Sequence, residues 1–259
     1  DIVSGLGWGL GYFGMPHILV RFMSIEKPSM IKKSSIVAIV WVIISLFSAV
    51  LIAYLGRMVM GAELLTQGNQ KLVFIAMARR FFPAGICGLL LAAIIAASIS
   101  TADSQLLVAS SSFTADLYKP FFRKNASEKE TLMVGRILVL ILSLIAFGIA
   151  NSKGSGAQAI MDMVENAWGA FGASFGPTIL LSLFWKRFNY QGAVAGVISG
   201  FVVDLGWLLT GMTDATGIFE IVPGFFASLL IAVIVAKLTA EPNKKAVEIF
   251  DQGIKAETE

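Results

Sequence analysis

Between Ala93 and Ser111 the chain carries small and hydroxyl side chains at a spacing that gathers them on one side. On a helix turning about 100° per residue, Ser100, Thr101, Ser104 and Ser111 fall within about 60° of Ala97. Ala93 shares that stripe, Ile94 lies at its edge, and Ile95 and Ile99 point elsewhere. Hydroxyl and carbonyl oxygens are hard, uncharged donors. They suit a hard monovalent cation, whereas sulfur and imidazole suit transition metals. The same spacing also serves if each hydroxyl bonds the carbonyl of the preceding turn and the stripe is a packing face. Asp103 falls about 120° from the stripe and is no obvious member of it.

A second cluster lies at the start, in GLGWGLGYFGMP. Glycines at 5, 7, 9, 11 and 14 and a proline at 16 weaken a helix, by about 1 kcal/mol per Gly and about 3 per Pro in an interior. Trp8 and Tyr12, one turn apart, present flat apolar faces with polar tips. Interrupted backbone at membrane depth is tolerated where it faces protein or a cavity. Glycine-interrupted helices of this kind mark binding sites in secondary transporters. A closely packed helix whose aromatics fill neighbouring grooves would read the same way.

The elements that must position these residues are membrane helices. Of the 259 residues, 56% are hydrophobic and 14% charged, and the mean hydropathy is +0.79. A soluble domain carries about 25% charged residues. Spans need about 20 apolar residues at 1.5 Å rise, and seven segments qualify or nearly do: 2–23, 34–60, 83–112, 131–151, 157–185, 190–211 and 218–239. This predicts a transmembrane helical domain over 1–240 and a charged cytoplasmic tail over 241–259. The absence of an initiating Met or a signal pattern predicts an N-terminal portion beyond this sequence.

Counted over alternating loops, Lys and Arg divide fifteen against five. The poorer side holds Arg57, Lys71, Arg79, Arg80 and Lys153. The positive-inside rule therefore puts residue 1 outside and the C-terminus in the cytoplasm. It also accounts for the net charge of +3 without nucleic acid. Trp185 and Trp207, near span ends, suit interfacial anchors.

Two motifs point to other chemistry and fail on context. Gly9–Gly14 spells a dinucleotide fingerprint, which requires a preceding strand. Gly172-Ala173-Ser174-Phe175-Gly176 spells a nucleophile elbow, which requires a strand-to-helix turn and a histidine base. The single histidine, His17, is remote, and the small residues suit close helix packing. One cysteine, Cys87, excludes an internal disulfide. Nothing supports an enzyme.

Three long motifs in order, GWGLGYFGMPHILVRFMS, LLAAIIAASISTADSQLLVASSSFTADLYKPFFRK and AWGAFGASFGP, resemble the sodium:solute symporter family, most closely its sodium/proline members. The resemblance implies an all-α integral membrane fold. It would be the second half of a leucine-transporter-like five-plus-five inverted repeat, with two trailing helices. It implies a secondary active transporter coupling sodium to a small solute, L-proline first, by alternating access in the cell membrane. Family sodium ligands match Ala97, Ser100 and Thr101, the stripe the spacing isolated. Solute-site residues match Trp8, Tyr12 and Pro16. The remaining sodium ligands and a coupling aspartate would come from the missing N-terminal half. Other solutes of the family are pantothenate, sugars and monocarboxylates. A channel would need a pore loop and a sensor an attached signalling domain, and the sequence displays neither.

Overall fold

The structure is a computed structural model that describes residues 2–27, 29–66, 69–152 and 157–258. Lys153, expected on the outer side, lies outside the described residues. Among these residues every regular element is helical. In chain order they are α1 (Ile2–Gly11), a 3₁₀ turn (Tyr12–Gly14), α2 (Pro16–Met23), α3 (Met30–Met60), α4 (Glu63–Thr66), a second 3₁₀ turn (Gln70–Leu72), α5 (Val73–Phe81), α6 (Ala84–Ser112), a π-helical stretch (Phe113–Phe122), α7 (Glu128–Ser152), α8 (Ala157–Phe184), α9 (Tyr190–Leu209), α10 (Met212–Thr216), α11 (Ile221–Leu238) and α12 (Lys244–Thr258).

Among the described residues, six helices are long and apolar enough to cross a membrane: Met30–Met60, Ala84–Phe122, Glu128–Ser152, Met161–Phe184, Tyr190–Leu209 and Ile221–Leu238. The protein is thus an all-α, multi-pass membrane protein. The seventh expected segment, 2–23, is not one helix. It breaks between Gly11 and Pro16, where Met15 is extended at φ −80°, ψ 115°. The cause is local. The Pro16 ring disfavours helical backbone at the residue before it, and Pro16 has no N–H to offer the Tyr12 carbonyl. It is instead well placed as the first residue of α2.

The chain divides into two compact units. The first comprises residues 1–30 with 158–259. Its centre is the seam between α9 and α11, built on missing side chains. A methyl at Gly192 would meet Ala236 Cβ at 2.7 Å, and one at Gly196 would meet Ala232 Cβ at 2.9 Å. Such small-residue seams let backbones approach and gain packing energy where lipid offers no hydrophobic driving force. Asn189 ties one end of the seam. Its Oδ1 accepts from Gly192 N at 2.9 Å as the α9 cap, and its Nδ2 donates to Ala240 O at 2.6 Å and Thr239 Oγ1 at 2.8 Å. Lys186 and Asp251 pair at 2.7 Å, holding α12 to the end of α8.

The second unit comprises residues 31–157. Here α6 was expected to end at 112, but helix continues to Phe122 with π geometry. The register slips where donors and acceptors are over-supplied. Phe113 N–H is shared between the Ala109 and Ser110 carbonyls, and the Thr114 hydroxyl donates to Ser110 O at 2.9 Å and Ser111 O at 3.0 Å. The last turn is fixed to α7. Tyr118 Oη donates to Glu130 at 2.8 Å, and Arg123 Nε reaches the same carboxylate at 3.2 Å. Ser127 caps α7, its Oγ accepting from Glu130 N at 3.2 Å.

Candidate functional site

In the second unit, Ala97, Ser100 and Thr101 lie in the middle of α6, and all three are exposed. None contributes to the interior of its own unit. The Thr101 hydroxyl donates to the Ala97 carbonyl at 3.2 Å, so those two oxygens sit side by side. One turn on, the Ser104 hydroxyl donates to Ser100 O at 2.9 Å, and one turn earlier Ser98 donates to Ile94 O at 3.1 Å. The packing reading of the stripe anticipated these back-bonds. The Thr101–Ala97 and Ser104–Ser100 bonds also set oxygens in adjacent pairs along the stripe. Two oxygens at right angles around a hard cation at about 2.3–2.6 Å are roughly 3.2–3.7 Å apart. The Ala97–Thr101 pair matches that edge. Asp103 is exposed and off the stripe.

In the first unit, Trp8, Tyr12 and Pro16 straddle the helix break. Trp8, on the last full turn of α1, packs against Trp168 with ring centroids 5.8 Å apart and against Phe219 at 5.7 Å. Tyr12 meets the Trp168 ring edge-on at 4.9 Å and 82°, and remains 57% exposed. Pro16 is half-buried at the start of α2. Trp8 and Tyr12 therefore share one neighbourhood with a further ring that the sequence reading did not include, and Pro16 starts the helix after the break.

That ring is Trp168 on α8, whose Nε1 donates to the Trp8 carbonyl at 2.9 Å. It belongs to the motif AWGAFGASFGP, whose glycines alone were given a role. Two glycines admit it and the helix behind it. A methyl on Gly11 would overlap the Trp168 indole, and one on Gly172 would meet Gly11 Cα at 2.6 Å. The signal available in the sequence was a tryptophan beside that glycine run.

The two misleading motifs resolve as helix. Ser174 is 2% exposed in mid-α8 and donates to Ala170 O at 2.6 Å, with no elbow to expose it. Gly9–Gly14 lies in α1 and the turn after it.

Comparison with known proteins agrees with this architecture. The Sodium:solute symporter family matches residues 1–200. The "Osmoregulated proline transporter OpuE" of Bacillus subtilis is 41% identical over 250 residues, covering 96% of this chain and 50% of the relative. The "High-affinity proline transporter PutP" of the same organism is 42% identical over 250 residues, 96% of this chain and 52% of the relative. A "Sodium/proline symporter" of Haemophilus influenzae is 40% identical over 262 residues, 98% of this chain and 51% of the relative. The chain spans about half the length of the curated relatives it matches. Matched along three quarters of its length, and carrying oxygen pairs on one helix and aromatics around a broken one, this chain belongs to the sodium:solute symporter family.

Proposed function

We propose that this chain is the part of a sodium-coupled proline symporter that supplies half of its sodium ligands and much of its solute site. The observation that carries the reading is the Ala97 carbonyl and Thr101 hydroxyl standing 3.2 Å apart on an exposed helix face. A sodium ion there would accept both oxygens, with Ser100 beside them. The Thr101 proton would rotate away from Ala97 O as the ion takes that carbonyl's lone pair. Hydroxyl and carbonyl ligands replace part of the ion's water shell without adding charge.

Proline would lie against Trp8 and Tyr12, its ring on their faces. The backbone freed by the break before Pro16 would receive the charged ends of the amino acid, as interrupted helices do in secondary transporters. The names of the relatives support proline over other solutes of the family. Sodium would favour the state that binds proline, and linkage requires proline to favour sodium by the same factor. Alternating access would follow from one helix bundle rocking against another. The remaining ligands would come from residues beyond this sequence, in a cell-membrane protein whose C-terminus is cytoplasmic.

The test is labelled-proline uptake into proteoliposomes holding the full-length protein. Uptake driven by an inward sodium gradient, and absent with potassium, supports the reading. Proline uptake indifferent to sodium, or sodium-driven uptake of another solute with none of proline, refutes it. The isolated chain is expected to show no gradient-driven uptake.

A further inference from the structure

Among the described residues of the first unit, Asp204 and Glu220 are the two buried acids. Each is 2% exposed. Asp204 lies on α9 and Glu220 immediately precedes α11. They converge on Gly169 of α8, where a methyl would be 2.9 Å from Asp204 Oδ1 and 3.3 Å from Glu220 Cγ. Any side chain at 169 would press on the Asp204 carboxyl and on the Glu220 methylene stem.

Their hydrogen bonding is asymmetric. Glu220 Oε2 accepts from the Thr213 hydroxyl at 2.9 Å. Asp204 Oδ1 is fully buried with no donor among the described residues. Buried polar atoms are paired in the great majority of proteins. A carboxylate oxygen without a donor, beside a second carboxylate and away from water, is the arrangement in which both groups cannot be ionised together.

Among the described residues of the helices around it, no basic side chain lies near the pair. The α1 segment holds no ionisable residue. On α8 the charged residues are Asp162 and Glu165, the latter one turn before Gly169, and both are acids. On α9 Asp204 is the sole charge, the α10 segment adds only Asp214, and α11 has none before Lys237 at its far end. No group of three His, Cys, Asp or Glu side chains able to hold a metal occurs among the described residues. A proton needs only two oxygens.

We propose that Asp204 and Glu220 form a proton-binding site of the first unit, beside the aromatic cluster, since Gly169 follows Trp168 and Glu220 follows Phe219 in the chain. The proton resides on Asp204 Oδ1, the oxygen without a donor, while the Glu220 carboxyl is held by the Thr213 hydroxyl. The proton enters from water and returns to it, with no bond formed or broken except O–H. Emptying the site would leave two carboxylates facing the same packed seam, so the packing of α8, α9 and α11 is expected to loosen when the proton leaves.

The experiment is thermal unfolding of the full-length protein in detergent, from about pH 5 to about pH 9, in a sodium-free buffer. The wild type is expected to lose several degrees in its midpoint across that range. Asp204→Asn, which places an N–H donor where the proton sat, is expected to remove most of that slope. Glu220→Gln, which removes the like charge but leaves Asp204 buried, should reduce that slope in part and serves if the first variant does not fold. A wild-type slope retained in both variants overturns the proposal. So does sodium restoring the wild-type midpoint at high pH while leaving the variants unchanged, since the site would then take an alkali ion. Infrared spectroscopy supplies an independent arm. A protonated-carboxyl stretch at neutral pH should be present in the wild type and missing from Asp204→Asn, and its persistence in the variant contradicts the assignment.

Discussion

The Thr101 hydroxyl donates to the Ala97 carbonyl across 3.2 Å, and neither residue is buried by its own unit. A back-bond of this type costs a membrane helix little and gives it two oxygens on one spot of its surface. The packing and coordination readings of the stripe are thus compatible, because the geometry that satisfies the hydroxyl in one state offers it to an ion in another. They differ in what substitution should do.

Trp168 gives the first prediction. Its ring meets both Trp8 and Tyr12, and its Nε1 holds the Trp8 carbonyl. Trp168→Ala should weaken apparent proline affinity as Tyr12→Ala does. Each should cost on the order of 1–3 kcal/mol, or tenfold and more, for lost ring contact and a hydrogen bond. Uptake against proline concentration measures it. Unchanged kinetics in all of Trp8→Ala, Tyr12→Ala and Trp168→Ala would leave the cluster a packing element only.

Gly172 gives the second. A methyl there would meet Gly11 Cα and Ile221 Cδ1, each at 2.6 Å. Gly172→Ala must push α1 from α8, with an overpacking cost of about 1–3 kcal/mol. The melting midpoint of the purified protein should fall, whereas Gly148→Ala, with open space around it, should leave the midpoint near wild type. Equal midpoints for both variants would contradict the close approach.

The basic asymmetry gives the third. A cysteine placed at Lys124 should react with a membrane-impermeant reagent from the cytoplasmic side only, and one at Lys153 from the outside only. Labelling of both from one side would refute the alternating count of crossings.

Much of this was legible in the sequence because the bilayer narrows the choices. Apolar runs announced the spans, and the 3.6-residue period placed Ala97, Ser100 and Thr101 together before any coordinates. The break before Pro16 was signalled by its glycines, though not its position, which depends on the steric demand of proline on Met15. Trp168 was not foreseen, since its pairing with Trp8 joins residues 160 apart in the chain. The π stretch after Ser112 was missed because it arises from competition among Ser110, Ser111 and Thr114 that no period reports. Asp204 was visible as the lone charge of an apolar span, a signal that merited attention by itself. Its convergence with Glu220 required the packing of α8, α9 and α11.

The most direct test of the sodium reading is proline uptake against sodium concentration for the full-length protein carrying changes on the stripe. Thr101→Val keeps the shape and removes the oxygen. Losing one ligand should cost about 1–3 kcal/mol, by analogy with an unmade buried polar contact, or roughly 5- to 150-fold in sodium affinity. Thr101→Ser keeps the oxygen and should be mild, and Ser100→Ala should resemble Thr101→Val. Ser111→Ala, further along α6, should change little. Saturating sodium should restore part of the lost proline affinity, because the coupling is reciprocal. If Thr101→Val and Ser100→Ala both keep the wild-type sodium dependence, the stripe is a packing face and the coordination claim is wrong.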